Sequence, residues 1–305
     1  MSAKGEPIGE INPCRKASGM KLVQRRQILE ADRAVGKPRR GKGLGEALMQ
    51  SLPLIVIDCR SCIVAYALHK DDERTNALRA LGAEVVVGDL LNYGAVQRAL
   101  EGVAAAYFVY PIRNGLIDAT AYFAQAALDT GMKAIVNMSQ TSARQDSKSN
   151  AARDHWICER LLDRSGVPVT HLRPTFFAQW LLYHGRSKRI AETGIMRFPF
   201  GNGRHAPIAA EDQGRVIAAI LQSLAAHAGK TYPLFGPIEM DHYELAKRIS
   251  EPLGREVTYV PQTIEEFRAQ FANNPNAPAH PVQHLWEVTQ DNQDGLFPRT
   301  DDNVE

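Results

Sequence analysis

The sequence predicts a doubly wound α/β fold, a mostly parallel sheet with a smaller C-terminal α+β lobe. Three observations carry that expectation. Short apolar runs alternate with amphipathic stretches of helical period between Ala65 and Pro174. The helical stretches close on glycines, Gly82 and Gly102, and apolar runs stop at prolines, Pro111 and Pro174. Beyond Pro174 the rhythm loosens into mixed short helices and extended pieces, as expected of a lobe laid over the carboxyl edge of a sheet.

Each element follows from its residues. "AYALHK" reads as a strand, "DERTNALRALG" as a helix, and "AEVVVGDL" as a buried parallel strand ending at Asp89. "NYGAVQRALEG" is a helix, "VAAAYFVYP" a buried strand, and "LIDATAYFAQAALDTG" a helix with apolar residues every three to four positions. "KAIVNMSQ", "RDHWICERLLDRSG" and "PVTHLRP" read as strand, helix and strand. Such alternation implies right-handed βαβ crossovers. "TIEEFRAQF" opens with Thr263 and Glu266 at capping-box spacing. "NNPNAPAHP" reads as a loop, followed by a polar acidic tail. The chain divides into an atypical basic segment (1–50), a dinucleotide-binding-type domain (51–175) and a substrate or partner lobe (176–305) interleaved with it.

Composition excludes more than it selects. The chain has 305 residues and a net charge of +2, but residues 1–60 carry 12 Lys and Arg against 6 Asp and Glu. The remainder is mildly acidic, so no basic patch on the folded domain points to direct nucleic-acid binding. The basic segment reads as solvated, with a polyanion-binding arm as the alternative. "CRSC" (59–62) lacks the second pair that a zinc site needs. Glu6 and Glu10 exclude a secretory signal, and Asp58 and Arg60 split the apolar run around them, so no membrane span is expected. The expected location is the cytoplasm.

The blocks "ALRALGAEVVVGDL", "VAAAYFVYP", "AIVNMSQTSA", "HWICERLLDRSGVPVTHLRPTFFAQWLL" and "HAPIAAEDQGRVIAAIL", in this order, resemble the NmrA-like family, atypical short-chain dehydrogenase relatives with a Rossmann-like fold. The resemblance spans residues of about 65 to 300. It implies an NAD(P)-binding protein. At the second strand's end an acid favours NAD and a base a 2′-phosphate. Lys70 stands there, which tilts the cofactor to NADP(H) over NAD(H). The resemblance places Asp89 and Leu90 beside the adenine, with helix N-capping by Asp89 as the structural alternative. Tyr110 and Pro111 begin the nicotinamide-side loop, and Ser139 and Gln140 stand at nicotinamide level. Thr175 and Phe176 begin the turn across the nicotinamide end, and Phe176 and Phe177 either wall the cleft or belong to the core. Asp212, opening a helix after Arg204 and His205, reads as structural.

The catalytic dyad of the wider superfamily is absent. In a Tyr-x-x-x-Lys pair the lysine lowers the tyrosine pKa for proton exchange with a carbonyl. "HWICERLLDRSG" places Ala151 in the tyrosine slot, His155 in the lysine slot and Glu159 four residues later. His155 is the one weak catalytic candidate, and a ribose contact or a purely structural role are its other readings. Glu159 is expected to pair with an arginine. The first βαβ unit also departs from the family's Gly-x-x-Gly-x-x-Gly turn. Gly41, Gly43 and Gly45 are spaced by two and follow "KPRR" rather than a strand, and "LPLIVIDCRSC" reads as an extra or misplaced strand. A displaced reading frame upstream of Tyr66 is one account of that departure.

Three functions remain open on these residues. One is an NAD(P)H-dependent reductase of a small flat acceptor such as a quinone. Another is a non-catalytic redox sensor that binds NAD(P) and a regulatory protein partner. The third is a paralogue with impaired cofactor binding.

Overall fold

The computed structural model describes residues 55–59, 62–68, 72–80, 82–272 and 279–297. The "GKGLG" stretch, Arg39, Arg40, Lys42 and Lys70 lie outside the described residues. Seven strands form one sheet: β1 (Ile55–Cys59), β2 (Cys62–Ala67), β3 (Glu84–Val87), β4 (Ala105–Phe108), β5 (Ala134–Met138), β6 (Val169–Pro174) and β8 (Thr231–Leu234). Their spatial order is β3-β2-β1-β4-β5-β6-β8. Helices α1 (Glu73–Ala80), α2 (Tyr93–Leu100), α3 (Leu116–Asp129), α4 (Asn150–Asp163) and α6 (Ala210–Gln222) connect and cover it.

The sheet is parallel except at its centre. β1 pairs antiparallel with both β2 and β4, with Cys59 opposite Cys62 and Ile55 opposite Tyr66. Only Arg60 and Ser61 separate β1 from β2. Two residues can reverse a chain, whereas a parallel pair needs a crossover of roughly a dozen residues or more. Within the "LPLIVIDCRSC" run, Ile55–Cys59 is therefore a central strand, but a reversed one. It has no βα crossover after it, and its first residue lies at the carboxyl edge of its neighbours.

Alternation along the strands loads both faces. Val64, Tyr66, Ala106, Phe108 and Ile135 pack against α2, α3 and α4, with Phe108 stacked on Phe123 at 4.5 Å. Tyr107, Val136 and Leu172 face the other way and pack against Ile217 and Ile220 of α6. Ala65 lies on that same side under Leu78 of α1. Helix ends follow the local chemistry: Gly82 and Gly102 take positive φ, and Asn92 caps α2 through a 3.0 Å bond from Ala95 N–H.

The second lobe holds a two-stranded parallel sheet of β7 (Ile195–Phe198) and β9 (Thr258–Pro261), with α5 (Arg186–Thr193), α7 (Leu224–His227), α8 (His242–Leu253) and α9 (Ile264–Ala272) around it. The capping box expected at Thr263 is present, with Glu266 N–H donating to Thr263 Oγ1 and Thr263 N–H to Glu266 Oε2. The expected loop and tail instead contain a fifteen-residue helix, α10 (Ala279–Gln293). Among the described residues no helix is long and apolar enough to cross a membrane, and no three His, Cys, Asp or Glu side chains converge on a metal position.

The lobe's core is aromatic and contains two histidines. His242 stacks on Phe200 at 4.3 Å, and His205 lies 4.9 Å from His242 between ring centroids. Both are fully buried, and none of their four ring nitrogens has a hydrogen-bond partner among the described residues. Burial lowers the pKa of His205 to about 4 and of His242 to about 2, where the neighbouring His205 adds to the effect. In the unfolded chain such histidines take protons near pH 6.5. Between that value and the folded values the unfolded state binds more protons, so folding stability falls as the pH drops through this window. The slope is about 1.4 kcal/mol per pH unit per histidine. Replacing His242 by Phe should reduce the slope between pH 6.5 and 4.5 by up to about 1.4 kcal/mol per pH unit, leaving the share of His205. It should also raise stability at pH 7 by about 1 kcal/mol, because it removes two unpaired buried nitrogens. Urea midpoints at several pH values measure this, and a destabilised, equally pH-sensitive H242F variant is the contrary result.

Candidate functional site at the carboxyl edge

The ends of β3, β4, β5 and β6 meet along one edge, and the sequence-derived residues distribute along it. At the end of β3, Tyr66 donates its hydroxyl to the Asp89 carbonyl at 3.2 Å. Gly88 is required there, since a Cβ would stand 2.1 Å from that hydroxyl. Asp89 accepts from Leu91 N–H at 3.0 Å through Oδ1. The cap of α2 belongs to Asn92, so Asp89 is not the capping residue. The Leu90 side chain is fully buried in the core and offers no face to a ligand; the exposed leucine is Leu91.

At the end of β4 the Tyr110 hydroxyl is committed. It donates to the Asn114 carbonyl at 3.1 Å and accepts from Arg113 Nε at 3.1 Å, so it shapes the loop that Pro111 begins. Burial raises its pKa, against the opposing hydrogen bond and charge of Arg113.

The ends of β5 and β6 are stitched together beyond the strands. Ser139 N–H donates to Leu172 O and Thr141 N–H to Pro174 O, which sets Ser139 and Gln140 alongside Thr175. Gln140 Oε1 accepts from Ser142 Oγ at 3.0 Å, while its Nε2 is buried without a partner. Thr175 Oγ1 is likewise buried and unpartnered. Buried polar atoms left unpaired cost about 1–3 kcal/mol each and call for an explanation. The two aromatics that follow diverge. Phe177 turns to the α6 face with Tyr107 and Ile208, while Phe176 stacks on Phe297 at 5.0 Å within the aromatic lobe. They do not form one wall.

Helix α4 backs this edge. Ala151 is buried in the tyrosine slot, and His155 is buried one turn later. Burial drives His155 to a pKa of about 4, opposed in part by Glu159. Its imidazole is therefore neutral at physiological pH, and among the described residues it makes no hydrogen bond. Glu159 is fully buried and pairs in a fork with Arg173 of β6, 2.8 Å to Nε and 2.5 Å to Nη2, as its position led us to expect. Burial alone would raise the Glu159 carboxyl; the Arg173 hydrogen bonds and charge, with help from the nearby Ser139, hold it below the usual range. Ser139 Oγ reaches no partner in standard hydrogen-bond geometry. Asp212 pairs with Arg215 at 2.8 Å on the surface of α6, a structural placement.

Arg173→Met should strand the Glu159 carboxylate and destabilise the fold by about 3 kcal/mol, whereas adding Glu159→Gln should recover most of that loss. Urea unfolding of both variants measures the difference. Simple additivity of the two substitutions would remove the pair from this role.

The model of the NmrA-like family matches residues 53–296, beginning upstream of the blocks that carry the resemblance in the sequence. The chain is 31% identical over 206 residues to an NAD(P)H azoreductase of Xenophilus azovorans, covering 66% of this chain and 70% of that protein. It is 27% identical over 232 residues to quinone oxidoreductase 2 of Escherichia coli, covering 73% and 74%. Among solved structures, an NADPH-dependent quinone oxidoreductase from Escherichia coli complexed with NADPH superposes with a TM-score of 0.70 at 25% identity, over 85% of this chain and 87% of that one. The Citrobacter sp. triphenylmethane reductase complexed with NADP(H) gives 0.69 at 23%, over 79% and 84%. The family match covers most of the chain, residues 53–296: the chain belongs to the NmrA-like family.

Proposed function

We propose that the chain is an NAD(P)H-dependent reductase of flat, quinone-like acceptors, with NADP(H) preferred over NAD(H). One observation carries the reading. The nicotinamide end of the edge keeps unpartnered polar atoms, Gln140 Nε2 and Thr175 Oγ1, while the helix behind it supplies no group that titrates near neutral pH. The names of the azoreductase and quinone oxidoreductase relatives support the acceptor class. The 2′-phosphate preference rests on Lys70, outside the described residues.

The residues fit a dinucleotide unevenly. A carboxamide presents a donor and an acceptor, which suit Thr175 Oγ1 and Gln140 Nε2. Neutral His155 is free to hydrogen-bond a ribose hydroxyl. Asp89 keeps one carboxylate oxygen for the exocyclic amine of adenine. The reversed β1 provides no turn and helix N-terminus for a pyrophosphate between β1 and β2. When bound, the reduced nicotinamide supplies a hydride. The chain's part is to orient the ring and exclude water, and the acceptor's proton comes from solvent. That arrangement suits an acceptor whose negative charge is delocalised, since an aliphatic ketone needs the missing tyrosine.

A titration with NADPH and NADH by nicotinamide fluorescence, followed by NADPH oxidation with 1,4-naphthoquinone, tests the proposal. We expect NADPH to bind with a Kd of about 100 µM, weakened by the absent β1–β2 phosphate turn, and to be oxidised only with the quinone present. Binding without turnover would favour the redox-sensor reading, and no binding up to about 1 mM would overturn both. The kcat should stay flat between pH 6 and 9, because His155 has already lost its proton. A rise in rate below pH 7 that disappears in His155→Gln would show a general acid instead.

A further inference from the structure

We infer that α10 is a strap that holds the β5–α4 loop and the 199–204 loop in register, and that Asp291 is its positioning residue for the loop carrying Ser139 and Gln140. The kinetic part of this inference rests on the reductase reading; the structural part does not.

The buried residues of α10 are mostly polar, with Val288 the apolar exception, and three of them are spaced at three and four residues: His284, Glu287 and Asp291. All three address the β5–α4 connection. Asp291 Oδ2 accepts from Ser147 Oγ at 2.6 Å, and Oδ1 accepts from Arg144 Nη2 at 3.1 Å and from Lys148 N–H at 3.3 Å. Glu287 accepts from the Asn150 backbone N–H at 2.9 Å, at the start of α4. His284 Nδ1 lies 2.8 Å from Ser149 Oγ, the hydroxyl that caps α4 by accepting from Ala152 N–H. A carboxylate at a helix N-terminus and one on a loop amide are both favoured by charge and dipole. A buried Asp291 with three donors is thus satisfied only while the loop from Thr141 to Ser149 holds its shape.

The neighbouring residues of α10 grip the other lobe. Asn292 Nδ2 donates to the Arg204 carbonyl at 3.0 Å, and Asn292 Oδ1 would stand 1.9 Å from a Cβ on Gly203. Gln293 Nε2 donates to the Pro199 carbonyl, and beyond the helix Phe297 stacks on Phe176. Consecutive positions 291 and 292 therefore tie the β5–α4 loop to the 199–204 loop. Shift the strap, and Gln140 moves relative to Phe176.

Hydrogen exchange by mass spectrometry on wild type, Asp291→Asn and Ser147→Ala, together with NADPH–naphthoquinone kinetics, tests the strap. In Asp291→Asn the segment 141–150 should exchange about ten-fold faster while α2 and α3 keep wild-type rates, and Ser147→Ala on top should add little. The acceptor KM and the NADPH KM should both rise, by about ten-fold, because Gln140 stands where the nicotinamide carboxamide and the acceptor meet. Unchanged exchange in 141–150 overturns the inference. So does a uniform rise across all segments with both KM values intact, which marks lost stability alone. If the wild-type chain turns over no quinone, the reductase reading fails, and the exchange data alone decide the strap.

Discussion

Much of the carboxyl edge depends on one buried charge. Glu159 sits in α4 with no access to water, and a carboxylate there is tolerable only with a matched cation and good geometry. Arg173 supplies both from β6, in a forked pair that ties the helix to the strand. The pairing continues behind the sheet: Arg160 joins Asp163, Asp163 joins His171, and His171 joins Asn137 on β5. A network of this kind contributes less to stability than to uniqueness, because any slip of α4 along β6 leaves an unpaired buried charge. His155, one turn away from Glu159, has its position set by the same constraint.

Where physical chemistry acts locally, the sequence was informative. Gly82 and Gly102 close helices because they adopt positive φ, and Thr263 and Glu266 cap each other because their spacing allows it. The partner of Glu159 was foreseeable as an arginine, since a buried carboxylate in a helix facing a strand has few other solutions. α10 escaped notice for an equally physical reason. Its buried residues are mostly polar, His284, Glu287, Thr289, Asp291 and Asn292 with Val288 alone apolar, so hydropathy shows no apolar stripe. Leu90 is buried where a contact beside the adenine is expected, and Phe177 takes the core alternative, because a residue at a strand end turns one way or the other according to pleat and turn, which neighbouring residue types do not determine.

The direction of β1 belongs to another category. Its apolar character marks a buried strand in either orientation, and only the length of the link to β2 decides. Two residues force a reversal, and the reversal separates two things that usually travel together in a doubly wound sheet: a central strand and a phosphate-binding turn at its end. The sheet keeps its core, since side-chain alternation survives reversal. The edge loses its anion cradle between β1 and β2, since backbone N–H groups do not.

The unpartnered polar atoms Gln140 Nε2 and Thr175 Oγ1 stand at the ends of β5 and β6. On the reductase reading, affinity drawn from these two strand ends depends on how well Gln140 and Thr175 are placed. Placement there is a property of the β5–α4 loop, and that loop is held by α10 as much as by the sheet. A catalyst that lacks a proton donor relies on orientation for its rate, since hydride transfer is steeply sensitive to the position of the reacting ring. On the reductase reading the polar strap and the missing tyrosine are connected: with no acid to contribute, the rigidity of the edge is the main means left to accelerate the reaction, and α10 ties the β5–α4 loop to the 199–204 loop.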